Sequence, residues 1–262
     1  MTLIQRNNIL LVIIGMLLTI LTFLLIAPYL LYIAGEIESS SQAYKKLLTP
    51  NYIFGLLLIF YSAITLIFLR FFFYKTNSIE IIFFMLFLTS LIFEASRPMI
   101  IILNEFNFSF TYVMFLSRVA YFSKICGVFA LFAAALASSD IGISRSKTSM
   151  LIIAVLSLMF ASAIPLSSDM FSNGYNKPGF FNYYLFTLIF IKFLTVLIFV
   201  INYFQKRNKE YLFLALGIML IITGKEITFY MTSFEFFLAG MVLLVAGTVL
   251  FSKKIHEIYK WD

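Results

Sequence analysis

SLIFEASRPMIIILN, residues Ser90 to Asn104, decides how the chain is read. It sets Glu94, Arg97 and Pro98 inside an otherwise apolar run. An ionisable side chain surrounded by hydrocarbon costs about 2.5–3.5 kcal/mol on insertion scales, so it faces a partner or a cavity. The Pro98 ring clashes with the carbonyl four residues earlier, which belongs to Glu94. The stretch therefore predicts a kinked membrane helix with a freed carbonyl beside a carboxylate and a guanidinium. A buried Glu–Arg pair that only locks helix packing is the competing reading of the same residues.

Composition extends the membrane reading to the whole chain. A chain 62% hydrophobic, 12% charged and with a mean hydropathy of +1.01 is unlike a soluble domain. Apolar runs near twenty residues recur along it, as in a polytopic helical membrane protein. The formal charge of +7 suggests nucleic acid only in a soluble protein. Here most basic residues lie in loops, and topology explains them better. The single cysteine, Cys126, excludes an intrachain disulfide and argues against a thiol metal site.

The apolar runs predict an all-α protein of eight transmembrane helices. The first, Ile9 to Ala34, is longer than a signal-peptide core of about 7–15 residues. Tyr32 and Ile33 stand where cleavage after Ala34 or Gly35 needs a small residue, so the helix is expected to stay uncleaved. A polar segment from Gly35 to Pro50 follows. Seven more helices are expected at about Tyr52–Tyr74, Ile79–Leu103, Ser109–Ala137, Ser149–Leu166, Phe180–Phe204, Tyr211–Met231 and Phe234–Ser252. Residues 1–50 then form an anchor helix and a short external segment, 51–252 a seven-helix core, and 253–262 a cytoplasmic tail.

Basic residues fix the expected orientation, since they accumulate in cytoplasmic loops. Arg6, Arg70, Lys75, Arg145, Lys147, Lys206, Arg207, Lys209, Lys253, Lys254 and Lys260 lie at the ends or in even-numbered loops. Only Lys45, Lys46 and Lys177 lie in odd-numbered ones. Both termini are therefore expected in the cytoplasm, with bacterial cytoplasmic membrane as the expected setting.

The remaining five basic residues, Arg97, Arg118, Lys124, Lys192 and Lys225, fall inside helices together with Glu94 and Glu226. A rise of about 1.5 Å per residue puts Glu94 and Arg118 roughly 14 Å below the outer surface. Lys192 then lies at roughly 18 Å, Lys124 near 22 Å, and Lys225 and Glu226 at roughly 8–9 Å. Four helices bring charge into the outer half of the membrane, and cations exceed carboxylates. The expectation is that Glu94 bridges Arg118 or Arg97, with the other arginine facing a cavity. An anion from outside, either a small carboxylate or phosphate or a lipid headgroup, would balance the surplus. Snorkelling lysines and purely structural pairs form the alternative.

Other patterns favour packing. Ala130, Ala133, Ala134 and Ala137, and separately Gly240 and Gly247, offer close-contact faces to neighbouring helices or a second subunit. The only histidine, His256, is expected to be solvated on the tail. No HExxH, GxSxG or paired-aspartate motif is present. No catalytic residue, cofactor or metal ligand is expected.

The stretches TPNYIFGLLLIF from Thr49, FLSRVAYFSKICGVFALFAAALASSDIG from Phe115 and FLAGMVLLVAGTVLFSKKIHEIYKWD from Phe237 carry a resemblance. They resemble the seven-helix membrane sensor modules that precede bacterial histidine kinases and diguanylate cyclases. In that family an arginine followed by an aromatic opens a similar helix, as Arg118 and Tyr121 do here. The resemblance implies a seven-helix core in helices two to eight, with helix one as an added anchor. The sequence stops at Asp262 with no kinase, cyclase or coiled coil. The expected function is thus a non-enzymatic sensor that binds an anionic or polar ligand or headgroup and signals through a cytoplasmic or membrane partner. A small transporter or permease component using the same cluster is the alternative. Membrane lipids and a possible second copy complete the expected partners, with no nucleic acid.

Overall fold

The computed structural model describes residues 3–33, 50–74, 78–105, 109–139, 146–171, 174–230 and 232–259. The segment expected outside the membrane, 35–49, falls outside these. The described residues form eight helices and one small hairpin. They are α1 (Leu3–Ile33), α2 (Pro50–Phe72), a broken α3, α4 (Phe110–Ser138), α5 (Ser146–Ala163), α6 (Phe181–Lys206), α7 (Glu210–Tyr230) and α8 (Phe234–Tyr259). Strands β1 (Leu166–Met170) and β2 (Asn176–Pro178) pair antiparallel between α5 and α6.

Seven of the helices are long and apolar enough to cross a membrane. The eighth, α5, has 18 residues and runs antiparallel beside α4. Its Ile153 packs with Ala133 and Ala134, and its Ala161 with Tyr121 and Ile125, so it traverses the same core. The alanine face of α4 is thereby covered within the chain.

The break in α3 falls where Pro98 predicts it. An α-helix from Ile79 to Ser90 tightens into a 3-10 turn over Leu91–Ala95, then resumes as α-helix from Ser96 to Glu105. Carbonyls around the break find donors on both neighbouring helices. Ser62 of α2 donates to the Leu88 carbonyl at 2.7 Å, and Ser123 of α4 to that of Ser90 at 2.7 Å. Pro98 also sets the helix spacing: a Cβ on Gly55 of α2 would stand 2.5 Å from its Cδ.

The start of α1 and the close of α8 lie at one end of the bundle. Arg6 donates to the Phe73 carbonyl at 2.5 Å, at the close of α2. Tyr259 donates to Glu80 at 2.8 Å, at the start of α3. The hairpin lies at the opposite end. Helix α8 continues to Tyr259, past its expected end at Ser252. His256 is correspondingly packed rather than solvated, with its ring centroid 4.5 Å from that of Phe72 and 5.8 Å from that of Phe73.

Helices α7 and α8 pack backbone to backbone. A Cβ on Gly224 would meet the Gly240 carbonyl at 2.7 Å, and one on Gly247 the Gly217 carbonyl at 2.7 Å. Close approach of this kind is what small residues permit where apolar burial drives nothing between helices. Gly240 and Gly247 thus serve an intrachain contact, which holds α7 and the charges it carries.

Candidate functional site

Four helices project charge into one buried cluster. On α4, Ser117, Tyr121 and Lys124 recur at helical spacing and face inward, all buried. Lys192 is buried on α6 between Leu188 and Thr195. Lys225 and Glu226 are consecutive on α7, and Glu94 lies in the 3-10 turn of α3, fully buried.

The pairing is specific. Glu226 bridges two helices, accepting from Lys124 at 3.0 Å and from Lys192 in a short contact. Lys225 pairs with Glu94. Tyr230, one turn beyond Glu226, accepts from Lys124 at 2.8 Å. Three ammonium groups therefore share two carboxylates. Arg97 lies beside this group, fully buried, donating to the Thr228 carbonyl at 3.0 Å and to Asn51 Oδ1 at 3.1 Å. Its guanidinium also stands 5.7 Å from the Phe54 ring.

Two expectations need correction here. Glu94 pairs with neither arginine, and Arg118 is exposed. The reason is azimuth. Arg118 shares a helical stripe with Thr111 and Phe115, both exposed, whereas Lys124 lies about 120° around the α4 axis from it. Depth along the helix was alike for Glu94 and Arg118, but direction was not. Arg97, expected either to bridge Glu94 or to face a cavity, ties α3 to α2 and α7.

The hairpin closes the cluster from its own end of the bundle. Tyr175 is fully buried, stacked on Phe229 with ring centroids 5.4 Å apart. Its hydroxyl donates to Glu94 at 3.5 Å and lies 3.3 Å from Ser96 Oγ. Burial first, then the charge of Glu94, pushes this hydroxyl well above the ordinary tyrosine value, so it remains a donor. Asn176 receives a bond from Ser117 at 3.1 Å, and its carbonyl one from Tyr121 at 2.7 Å. Phe171 packs edge-on against Tyr230 at 5.7 Å. The hairpin thus touches both ion-pair groups. None of Asn51, Tyr175, Asn176 and Thr228 stood out in the sequence; only the one-turn spacing from Glu226 to Tyr230 was readable.

A cavity of about 20 Å³ lies within the cluster, lined by Lys124, Lys192, Lys225 and Glu226 with Ser123 and Gly127. That is room for about one water-sized particle. Phe87, Leu131 and Ile222 also line it. Glu226 forms the accessible edge, its side chain 26% exposed against 1% for Lys124. Comparison with protein-family models, with curated proteins and with solved structures finds no match.

Proposed function

We propose that the chain is a non-enzymatic integral membrane module whose lysine-rich cluster binds an anionic ligand and passes the event to a partner protein. The observation that carries this is the sharing of two carboxylates by Lys124, Lys192 and Lys225. A surplus cation in a low-dielectric setting is costly, and an anion relieves it. Glu226 at the accessible edge marks the entry, and the hairpin, touching both Glu94 and Tyr230, is the element that senses occupancy.

Orientation belongs to the same proposal. The eleven-to-three sorting of basic residues and the meeting of the start of α1 and the close of α8 at one end of the bundle support cytoplasmic termini and eight crossings, with α5 among them. The membrane is then the cytoplasmic membrane of a bacterial cell, and the hairpin faces outward.

Melting of the purified protein in detergent tests the reading. Chloride, acetate, inorganic phosphate and phosphatidylglycerol micelles are each titrated against a gluconate background. A saturable rise with at least one of these anions, lost in Lys192→Gln, is expected. No rise with any of them overturns the binding reading, and solute accumulation by reconstituted vesicles replaces it with transport.

A further inference from the structure

The cluster's charge and its free space describe different ligands unless the ligand is small. Three lysines against two glutamates leave one positive charge. The cavity lined by the three lysines and Glu226 measures about 20 Å³ and admits one water-sized particle. A phosphate or carboxylate would have to displace Glu226 from both Lys124 and Lys192 before it could enter. A monatomic halide needs no such displacement. It has one charge, nearly the size of water, and no preferred direction of approach, so ammonium groups on separate helices can share it.

We propose that the void bounded by Lys124, Lys192, Lys225, Gly127 and the Glu226 carboxylate is a halide site, occupied by chloride under physiological conditions. This rests on the anion-binding reading above and names the class of anion. The bound ion balances the three ammonium groups against the two carboxylates, while the Arg97 charge beside them is held by the Thr228 carbonyl and Asn51. Glu226 then acts as the fixed counter-ion and the halide as the exchangeable one.

The local structure accommodates this role. Ser90 Oγ donates to the Phe87 carbonyl at 2.7 Å, and Ser123 Oγ to that of Ser90 at 2.7 Å. The hydroxyl protons are thus turned to backbone oxygens, leaving the lysines as the cationic donors at the void. Gly127 keeps the space open. A Cβ there would stand 3.1 Å from Ser90 Oγ and 3.2 Å from the Phe87 ring, side-chain contacts that can yield slightly. Gly127→Ala therefore narrows the cavity while every charge is kept.

The alternative source of neutrality is loss of a proton by one lysine, with water in the void. The experiment separates the two. Protein purified in gluconate is titrated with sodium chloride, bromide and phosphate at constant ionic strength while melting is followed, and bromide-soaked crystals are measured for anomalous signal. The halide proposal expects a saturable rise with chloride and bromide, none with phosphate, and one bromide peak beside Lys124 and Lys192. Gly127→Ala and Lys192→Gln should each weaken halide binding at least tenfold, the first without changing the charge. A rise with phosphate but not halide overturns the halide site and leaves the anion-binding reading standing. No response to any anion overturns both.

Discussion

Lys225 and Glu226 are adjacent on α7, yet each closes an ion pair in a different direction: Lys225 with Glu94 of α3, Glu226 with Lys124 of α4 and Lys192 of α6. Two consecutive side chains on a helix diverge by about 100°. This short stretch of α7 is therefore held from two sides by charge, and a turn of the helix that improved one pair would loosen the other.

Glu94→Gln should lower stability by about 3–5 kcal/mol, the usual cost of leaving one member of a buried pair alone. The double variant with Lys225→Gln should lose less than the sum of the single changes. Arg118→Gln, on the exposed face of α4, should fall within about 0.5 kcal/mol of the parent. Reversible denaturation in detergent measures all three, and strict additivity of the first two would contradict the pairing.

The α7–α8 contact gives a cleaner steric test. Gly224→Ala forces a methyl against the Gly240 carbonyl and should cost roughly 1–3 kcal/mol. Gly15→Ala on α1, with nothing within 4 Å of its new Cβ, should be neutral or slightly stabilising. Equal melting temperatures for the two variants would mean that α7 and α8 stand further apart.

Hairpin docking is tested by proteolysis. Asn176→Ala removes contacts to Ser117 and to the Ser167 carbonyl and leaves buried groups without partners. It should expose β1–β2 to cleavage well before the helices are attacked. Tyr175→Phe loses only the hydroxyl and should cost about 1 kcal/mol. If both resist cleavage like the parent, the hairpin is held by other contacts.

Orientation can be read by labelling. The sole native cysteine, Cys126, is buried, so an introduced thiol reports cleanly. Asp169→Cys on β1 should react with an impermeant reagent applied outside intact cells, and Lys209→Cys at the other end should not. The reverse pattern would invert the topology.

Much of this was legible in the sequence, and the errors of pairing have one physical origin. Apolar runs located the eight helices, seven of them long enough to cross a membrane, because the length of a span is set by the bilayer. Convergence of charge from α3, α4, α6 and α7 followed from depth, which residue counting supplies. Pairing did not, because counting gives height without azimuth. Glu94 and Arg118 matched in height, but Arg118 turns to the exposed face. Lys225, reckoned at roughly 8–9 Å against about 14 Å for Glu94, nevertheless pairs with it. The hairpin escaped because its strands are short and are held by burial of Tyr175 and Asn176 among helices distant in sequence. Gly217 and Gly224 were readable in principle, since they repeat the seven-residue spacing of Gly240 and Gly247.

The 3-10 turn that carries Glu94 gives α3 a second possible winding. Each residue of a 3-10 helix advances about 120° around the axis and 2.0 Å along it, against about 100° and 1.5 Å in an α-helix. Rewinding Leu91–Ala95 as α-helix would rotate one half of α3 against the other by about 100° and shorten it by roughly 2.5 Å. Glu94 would swing away from Lys225, and Arg97 would leave Asn51 and Thr228. A change of winding over these five residues would thus read out as a turn and a shift of the Ser96–Glu105 segment at the hairpin end.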